Sequence, residues 1–249
     1  MKIVVCINHV PDTETKIKIG GDNLSIDRAG VNFMMSPYDE IAVEEGLRLR
    51  DKFKGDVTAI SLGGESHKET LRKALAMGAD KAVLLKDDAP RDSFGVAHAL
   101  AEEIRGMAPD VVLCGRQSID FDDAQVGTLV AEFLGLPSVG VVVKLEVSEG
   151  GDVVCEREIE GGHEVIKTKL PAVFLAQKGL NEPRYPSLKG IMAAKSKPIE
   201  EKPAAPAEMR VATLTMRKPP AKNPGRVVGT DASAVPELVR LLHEEAKII

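Results

Sequence analysis

The segment Asp56-Val-Thr-Ala-Ile-Ser-Leu-Gly-Gly-Glu-Ser-His-Lys-Glu-Thr-Leu-Arg-Lys-Ala-Leu-Ala-Met-Gly78 carries a strand, a turn and a helix in immediate succession. Its first seven residues read as a strand in which Val57, Ala59, Ile60 and Leu62 are apolar, and Gly63-Gly64 turns the chain. Ser66 and Glu69 then read as a capping box, with Leu71, Ala74 and Leu75 as a buried helical stripe and Gly78 as the stop. A second apolar run, Ala82–Leu85, follows at once. Strand, helix and strand joined this tightly form a parallel unit with its helix packed on the sheet.

The pattern extends in both directions. Upstream, Lys2–Ile7 is an apolar strand suited to burial on both faces. Thr15–Ile26 alternates weakly around Gly20-Gly21, as a hairpin does. Ser36-Pro37-Tyr38-Asp39 reads as a helix start, with Ser36 as cap, Pro37 in the first turn and Asp39 completing the box. That helix directs Ala42, Gly46, Leu49 and Phe53 inward. Downstream come a helix over Asp92–Arg105, a strand over Val111–Cys114 and a helix over Asp122–Leu134. After Pro137 the period becomes two: Val142–Val147, Val153–Ile159 and Glu164–Leu170 alternate between glycine turns, as antiparallel strands added to the sheet. The fold class expected is α/β, a parallel sheet covered by helices, of the kind that binds adenine nucleotides, with added antiparallel strands and an extended C-terminal arm.

Two regions lie outside this pattern. The buried run Pro171-Ala-Val-Phe-Leu-Ala176 opens into Leu180-Asn-Glu-Pro-Arg-Tyr-Pro-Ser-Leu188, and a basic helical stretch continues through Ile191, Met192 and Lys195 to Lys197. An aliphatic residue beside Arg184 and Tyr185 suits a surface that grips another protein. The alternative is a helix start whose Leu188 and Ile191 pack inward. Beyond Lys197, six of the fifteen prolines fall between Pro198 and Pro224. This reads as an arm with a strand-like stretch at Arg210–Met216 and a terminal helix from near Pro236, bearing Leu238, Leu241 and Leu242 on one face. The expected division is residues 1–197 as one domain, including the loop 180–197, and 198–249 as an arm lying on a partner.

With 249 residues, 43% hydrophobic and 29% charged, the composition is that of an ordinary soluble globular protein. A net charge of -5 argues against a nucleic-acid binder. No apolar stretch reaches the roughly 18 residues of a membrane helix, and the N-terminal run is too short for a signal peptide core, so a cytoplasmic protein is expected. Cys6, Cys114 and Cys155 form no pair, and the five histidines show no ligand spacing. That points away from a metal site, and each histidine reads as a surface or cap residue. With two Tyr, six Phe and no Trp, the chain is poorly equipped to hold a large planar cofactor alone.

In an open parallel sheet, ligands bind beyond the carboxyl ends of the strands. Four loops lie there: Asn8–Asp12, the Ser36 cap, Leu62-Gly63-Gly64, and Gly115-Arg-Gln-Ser-Ile-Asp-Phe-Asp-Asp-Ala-Gln-Val-Gly127. The last leads to a helix N-terminus, whose free N–H groups favour an anion. Arg116 can neutralise phosphate, and Ser118 and Gln125 can hydrogen-bond. Asp120, Asp122 and Asp123 read either as helix caps or as acceptors for a ribose hydroxyl or an adenine amine. The chain has no G-x-G-x-x-G after its first strand, no P-loop and no nucleophile elbow.

Five stretches carry a family likeness: Ser36–Glu45, Lys73–Asp80, Gly115–Asp120, Glu156–Glu160 and Leu180–Lys197. Together they make the chain resemble the β subunit of electron transfer flavoprotein over essentially its whole length. The resemblance implies a heterodimer with an α subunit, in which an FAD held mostly by α passes electrons from acyl-CoA dehydrogenases to a membrane quinone reductase or another acceptor, as in fatty acid oxidation. The β subunit would have no catalytic centre of its own. It would hold AMP, mostly through backbone groups, at Cys6, Ser36, Pro37, Tyr38, Asp39, Leu62 and the loop Arg116, Gln117, Ser118, Ile119, Asp120, Phe121, Asp122, Asp123, Ala124, Gln125, Val126 and Gly127. Arg184, Tyr185, Leu188, Ile191, Met192 and Lys195 would dock the dehydrogenase, with Leu188 as anchor, and Glu158 would lie on the flavin side. Thr13 and Ala193 depart from the family pattern. Asp123-Ala-Gln-Val-Gly127 resembles the electron-bifurcating branch, which takes NADH as donor and holds a second FAD in place of AMP. A nucleotide-hydrolysing or adenylating α/β enzyme is the reading from a different class, although Asn8–Asp12 supplies no phosphate loop.

Overall fold

The computed structural model of the chain describes every residue except Asn223, which lies within the stretch read as an arm. Strand β1 (Lys2–Cys6) is an interior strand of the sheet. The chain leaves it through the short antiparallel pair β2 (His9–Pro11) and β3 (Phe33–Met35), then forms α1 (Pro37–Phe53), β4 (Asp56–Gly63), α2 (His67–Met77), β5 (Lys81–Lys86), α3 (Ser93–Met107), β6 (Val111–Gly115) and α4 (Val126–Leu134). Strands β7 (Ser138–Val147), β8 (Asp152–Ile159), β9 (Gly162–Lys169) and β10 (Ala172–Ala176) follow, then α5 (Leu188–Ser196), β11 (Glu200–Pro203) and, at the end, α6 (Val235–Glu244). Among the described residues nine strands form one sheet in the order β11-β5-β4-β1-β6-β10-β7-β8-β9. From β11 to β7 the neighbours run parallel; β7, β8 and β9 are antiparallel.

Strand β1 shows why its sequence is apolar throughout. Ile3 and Val5 join one core with Ala42 and Leu47 of α1 and Leu71 and Leu75 of α2. Val4 and Cys6 join the other with Leu100 and Ile104 of α3 and Val130 of α4. Each fully buried side chain of this size stabilises by roughly 1.5–3 kcal/mol, and a strand covered on both faces uses every residue. The α/β fold with appended antiparallel strands is the one expected from the sequence.

Several local expectations are corrected. The Thr15–Ile26 segment forms a single bridge, Ile19 to Ile26, and the antiparallel ladder lies outside it, between β2 and β3. Asp22 accepts hydrogen bonds from the N–H groups of Leu24 and Ser25 and from the Ser25 hydroxyl, and such local bonds compete with a ladder. Neither Ser36 nor Ser66 caps its helix through the side chain, so both capping boxes fail. Helix α4 starts at Val126, not Asp122, because Asp122 and Ala124 have φ of 58° and 55°, outside a right-handed helix. The three aspartates are therefore not its caps. Arg210–Met216 forms no strand; the Arg210 and Val211 N–H groups bond to Asp92, and Met216 N–H to the Asn23 carbonyl.

After Lys197 the chain first adds the edge strand β11, which carries charge (Glu200, Glu201, Lys202) as exposed edges do. Helix α6 makes its principal contact with the 3-10 turn before it. Leu241 is buried, while Val235, Leu238 and Val239 remain exposed. Among the described residues no helix is long and apolar enough to cross a membrane, and no cluster of His, Cys, Asp and Glu could hold a metal ion.

Candidate functional site

The chain moves from β1 to β4 and β5 on one side, and reaches β6 and β10 on the other. The loops leaving β1 and β6 therefore diverge at the carboxyl ends of the two strands, the switch point where sheets of this kind hold their ligand crevice. Asp39, in the first turn of α1, spans it. One carboxylate oxygen accepts from the Asn8 N–H (2.8 Å) after β1, and the other from the Gly115 N–H (3.0 Å) ending β6. Burial pushes the Asp39 carboxyl up to about 7; the two N–H bonds pull the other way, and Asp120 and Glu40 add to the rise. A side chain on Gly115 would place its Cβ 2.5 Å from that carboxylate and 2.7 Å from the Tyr38 Cβ. Only glycine lets β6 end against α1.

The crevice wall is the β6–α4 loop. Asn8 Nδ2 donates to the Ser118 hydroxyl (2.9 Å) and to Asp120 (3.1 Å). Gln117 accepts from Arg116 Nε (2.7 Å) and donates to Asp122, and the Arg116 guanidinium lies 5.9 Å from the Tyr38 ring centre. Asp123 accepts from Ser93 of α3, and Phe121 is exposed. Gln125 gives α4 no side-chain cap, so the first N–H groups of that helix lack a side-chain acceptor. Gly127 packs on Leu175 and Cys114, which holds that helix end at the strand ends. The Ser36 hydroxyl is buried and has no hydrogen-bond partner among the described residues. A buried hydroxyl left unpaired costs about 1–3 kcal/mol, so an unfilled one beside a crevice fits a ligand. Of the residues expected here, Cys6, Ser36, Pro37, Tyr38, Asp39 and Leu62 come from β1, the α1 start and the end of β4, and Arg116–Gly127 from the β6–α4 loop and the first turn of α4. Asn8, which opens the first of the four loops expected at the strand ends, adds its side chain to this set.

His9 and His67, expected as surface or cap residues, are both buried, with ring centres 5.1 Å apart. His9 pairs with the Thr70 hydroxyl (2.6 Å) and His67 with Ser61 (2.9 Å). Burial lowers both, His67 to about 4.

The second surface is the loop after β10. Tyr185 is 96% and Leu188 84% exposed, and Ile191 and Met192 stand out beside them. Only Ala194 of α5 is buried, so Leu188 and Ile191 do not pack inward. Lys195 is exposed on the same helix. Arg184 is different: its guanidinium forks onto Glu44 of α1 (2.7 and 3.2 Å), within the chain. Glu158 on β8 accepts from Gln177 (2.8 Å).

These features define a class: a helix-covered, mostly parallel sheet with a crevice at its switch point and an exposed apolar loop on one flank. Residues 23–207 match the model of the electron transfer flavoprotein domain. The electron transfer flavoprotein subunit beta of Syntrophomonas wolfei subsp. wolfei is 43% identical over 226 residues, covering 90% of this chain and 88% of its own length. Its namesake in Bacillus subtilis is 40% identical over the full length of both chains, and that of Bradyrhizobium diazoefficiens 38% over the same span. The chain belongs to the electron transfer flavoprotein β-subunit family, a family of flavin-associated electron-transport proteins.

Proposed function

We propose that this chain pairs with an α subunit as an electron carrier between acyl-CoA dehydrogenases and a membrane quinone reductase or another acceptor. FAD, held mostly by α, supplies the redox chemistry when bound. The residues of this chain bind, orient and dock. The exposed apolar surface of Tyr185, Leu188 and Met192, mounted on an otherwise well-packed domain, carries the reading.

The crevice holds an adenine nucleotide, AMP in the first instance. Ser36 Oγ gains a partner there, the α4 N–H groups and Arg116 face its phosphate, and Asn8, Asp120 and backbone groups read the nucleoside. This nucleotide is structural, since no nucleophile and base in the crevice are paired for hydrolysis. A second FAD in its place, with NADH as donor, is supported by Asp123-Ala-Gln-Val-Gly127 and by the open, irregular loop before it. The arm beyond β11, with the exposed face of α6, lies on α. The carrier reading is tested by co-producing the chain with an α subunit of the same family. A yellow heterodimer that accepts electrons from an acyl-CoA dehydrogenase supports it; a colourless monomer that hydrolyses ATP overturns it.

A further inference from the structure

Tyr185 and Leu188 are too exposed to hold their own loop in place, and residues 177–187 contain no strand or helix. Polar contacts to α1 and α2 hold it instead. Glu44 of α1 accepts from Arg184 three times: from Nε at 2.7 Å, from Nη2 at 3.2 Å and from the backbone N–H at 3.2 Å. One carboxylate thus fixes both the side chain and the backbone of the residue before Tyr185. Glu44 is itself 5% exposed at the side chain and oriented by Arg48 at 2.9 Å. Burial alone would raise its carboxyl, but Arg184 and Arg48 outweigh that and hold it below the usual range. At the start of the loop, buried Asn181 donates to the Ile41 carbonyl (3.1 Å) and to Glu45 (2.9 Å). At the far end, Arg72 of α2 donates to the Ala194 carbonyl (2.6 Å), and a Cβ on Gly190 would run into the Ala76 carbonyl.

We infer that Glu44 and Arg184, supported by Asn181, are positioning residues for docking: they set where Leu188 stands before a partner arrives. This rests on reading Leu180–Lys195 as the docking surface. A forked arginine–carboxylate pair has one geometry and so removes loop freedom that binding would otherwise have to remove. The fold has little need of the pair, because α1 is already seated by Ala42, Leu47 and Leu49 in the core.

The test uses the complete αβ complex, reduced by an acyl-CoA dehydrogenase at varied carrier concentration. Glu44→Gln should raise the half-saturating concentration on the order of tenfold, within the ~10² that a 1 Å misplacement can cost. Maximal rate and flavin absorption should stay unchanged, and amide exchange over residues 181–188 should quicken. Glu44→Met/Arg184→Met removes both charges, which spares folding; it should show the same rise. Leu188→Ala is the control for the surface itself. If Leu188→Ala weakens docking while the Glu44 variants lower only the melting temperature, or if the double variant restores normal docking, the positioning role is overturned. If Leu188→Ala has no effect either, the docking surface is wrong and this inference falls with it.

Discussion

The carboxylate of Asp39 and the backbone N–H of Gly115 meet at 3.0 Å across the switch point of the sheet. With the second bond to Asn8 at 2.8 Å, one helix residue ties together the two strand ends between which the crevice opens.

That burial has a pH signature. The folded value of about 7 lies above the ordinary 3.8, so the folded chain holds the proton more tightly than the unfolded one. Stability from this group is fully present below about pH 4 and is lost as pH rises through about 7, a loss on the order of a few kcal/mol at about 1.4 kcal/mol per unit. Asp39→Asn removes the titration. The unfolding free energy of the unmodified chain, minus that of the variant, should therefore fall between pH 4 and 7 in denaturant titrations. His67 acts with the opposite sign but is common to both proteins and cancels. Parallel pH curves would contradict the assignment.

Gly115→Ala should destabilise by about 1–3 kcal/mol, because its Cβ enters the space of Asp39 and Tyr38. Chemical denaturation reads this directly. A change within about 0.5 kcal/mol, the range of ordinary surface substitutions, would show that the crevice tolerates a side chain there.

Leu188→Ala should leave folding stability nearly unchanged, since the side chain is 84% exposed. Full burial of a leucine in a partner pocket contributes roughly 1.5–3 kcal/mol, so docking should weaken by about one to two orders of magnitude. Lys195, at the rim, should instead change the on-rate and its salt dependence. Kinetics of reduction at several ionic strengths separate the two effects.

A chain ending at Glu208 keeps β11 and every other strand of the sheet, and should fold alone. It loses the bonds from Arg210 and Val211 to Asp92 and the exposed face of α6. Affinity for α, measured by titration, should fall. A shortened chain that fails to fold, while the full chain succeeds, would assign the arm to the core.

The sheet was legible because burial leaves a period in the sequence: β1, β4, β5, β6 and β10 read as apolar runs, and β7–β9 as alternation. The loops at the strand ends were legible from the apolar runs before them, and the family likeness supplied the nucleotide-binding residues proposed there. What could not be read was direction. Ser36-Pro37-Tyr38-Asp39 has the letters of a capping box, but Asp39 points at Asn8 and Gly115, which are 31 and 76 residues away. Nor does the sequence show that Arg184 is held by Glu44, 140 residues away. Asp122 resembled a helix start because single-residue excursions to positive φ leave no compositional mark on Asp or Ala.

Counting flavin and nucleotide in a gently purified αβ complex distinguishes a structural nucleotide beside one shared flavin from the alternatives. Denaturation should release one FAD and one AMP per heterodimer, identified by mass and absorbance. Two FAD and no AMP would establish the bifurcating alternative, and no nucleotide besides the one FAD would contradict the crevice as a binding site.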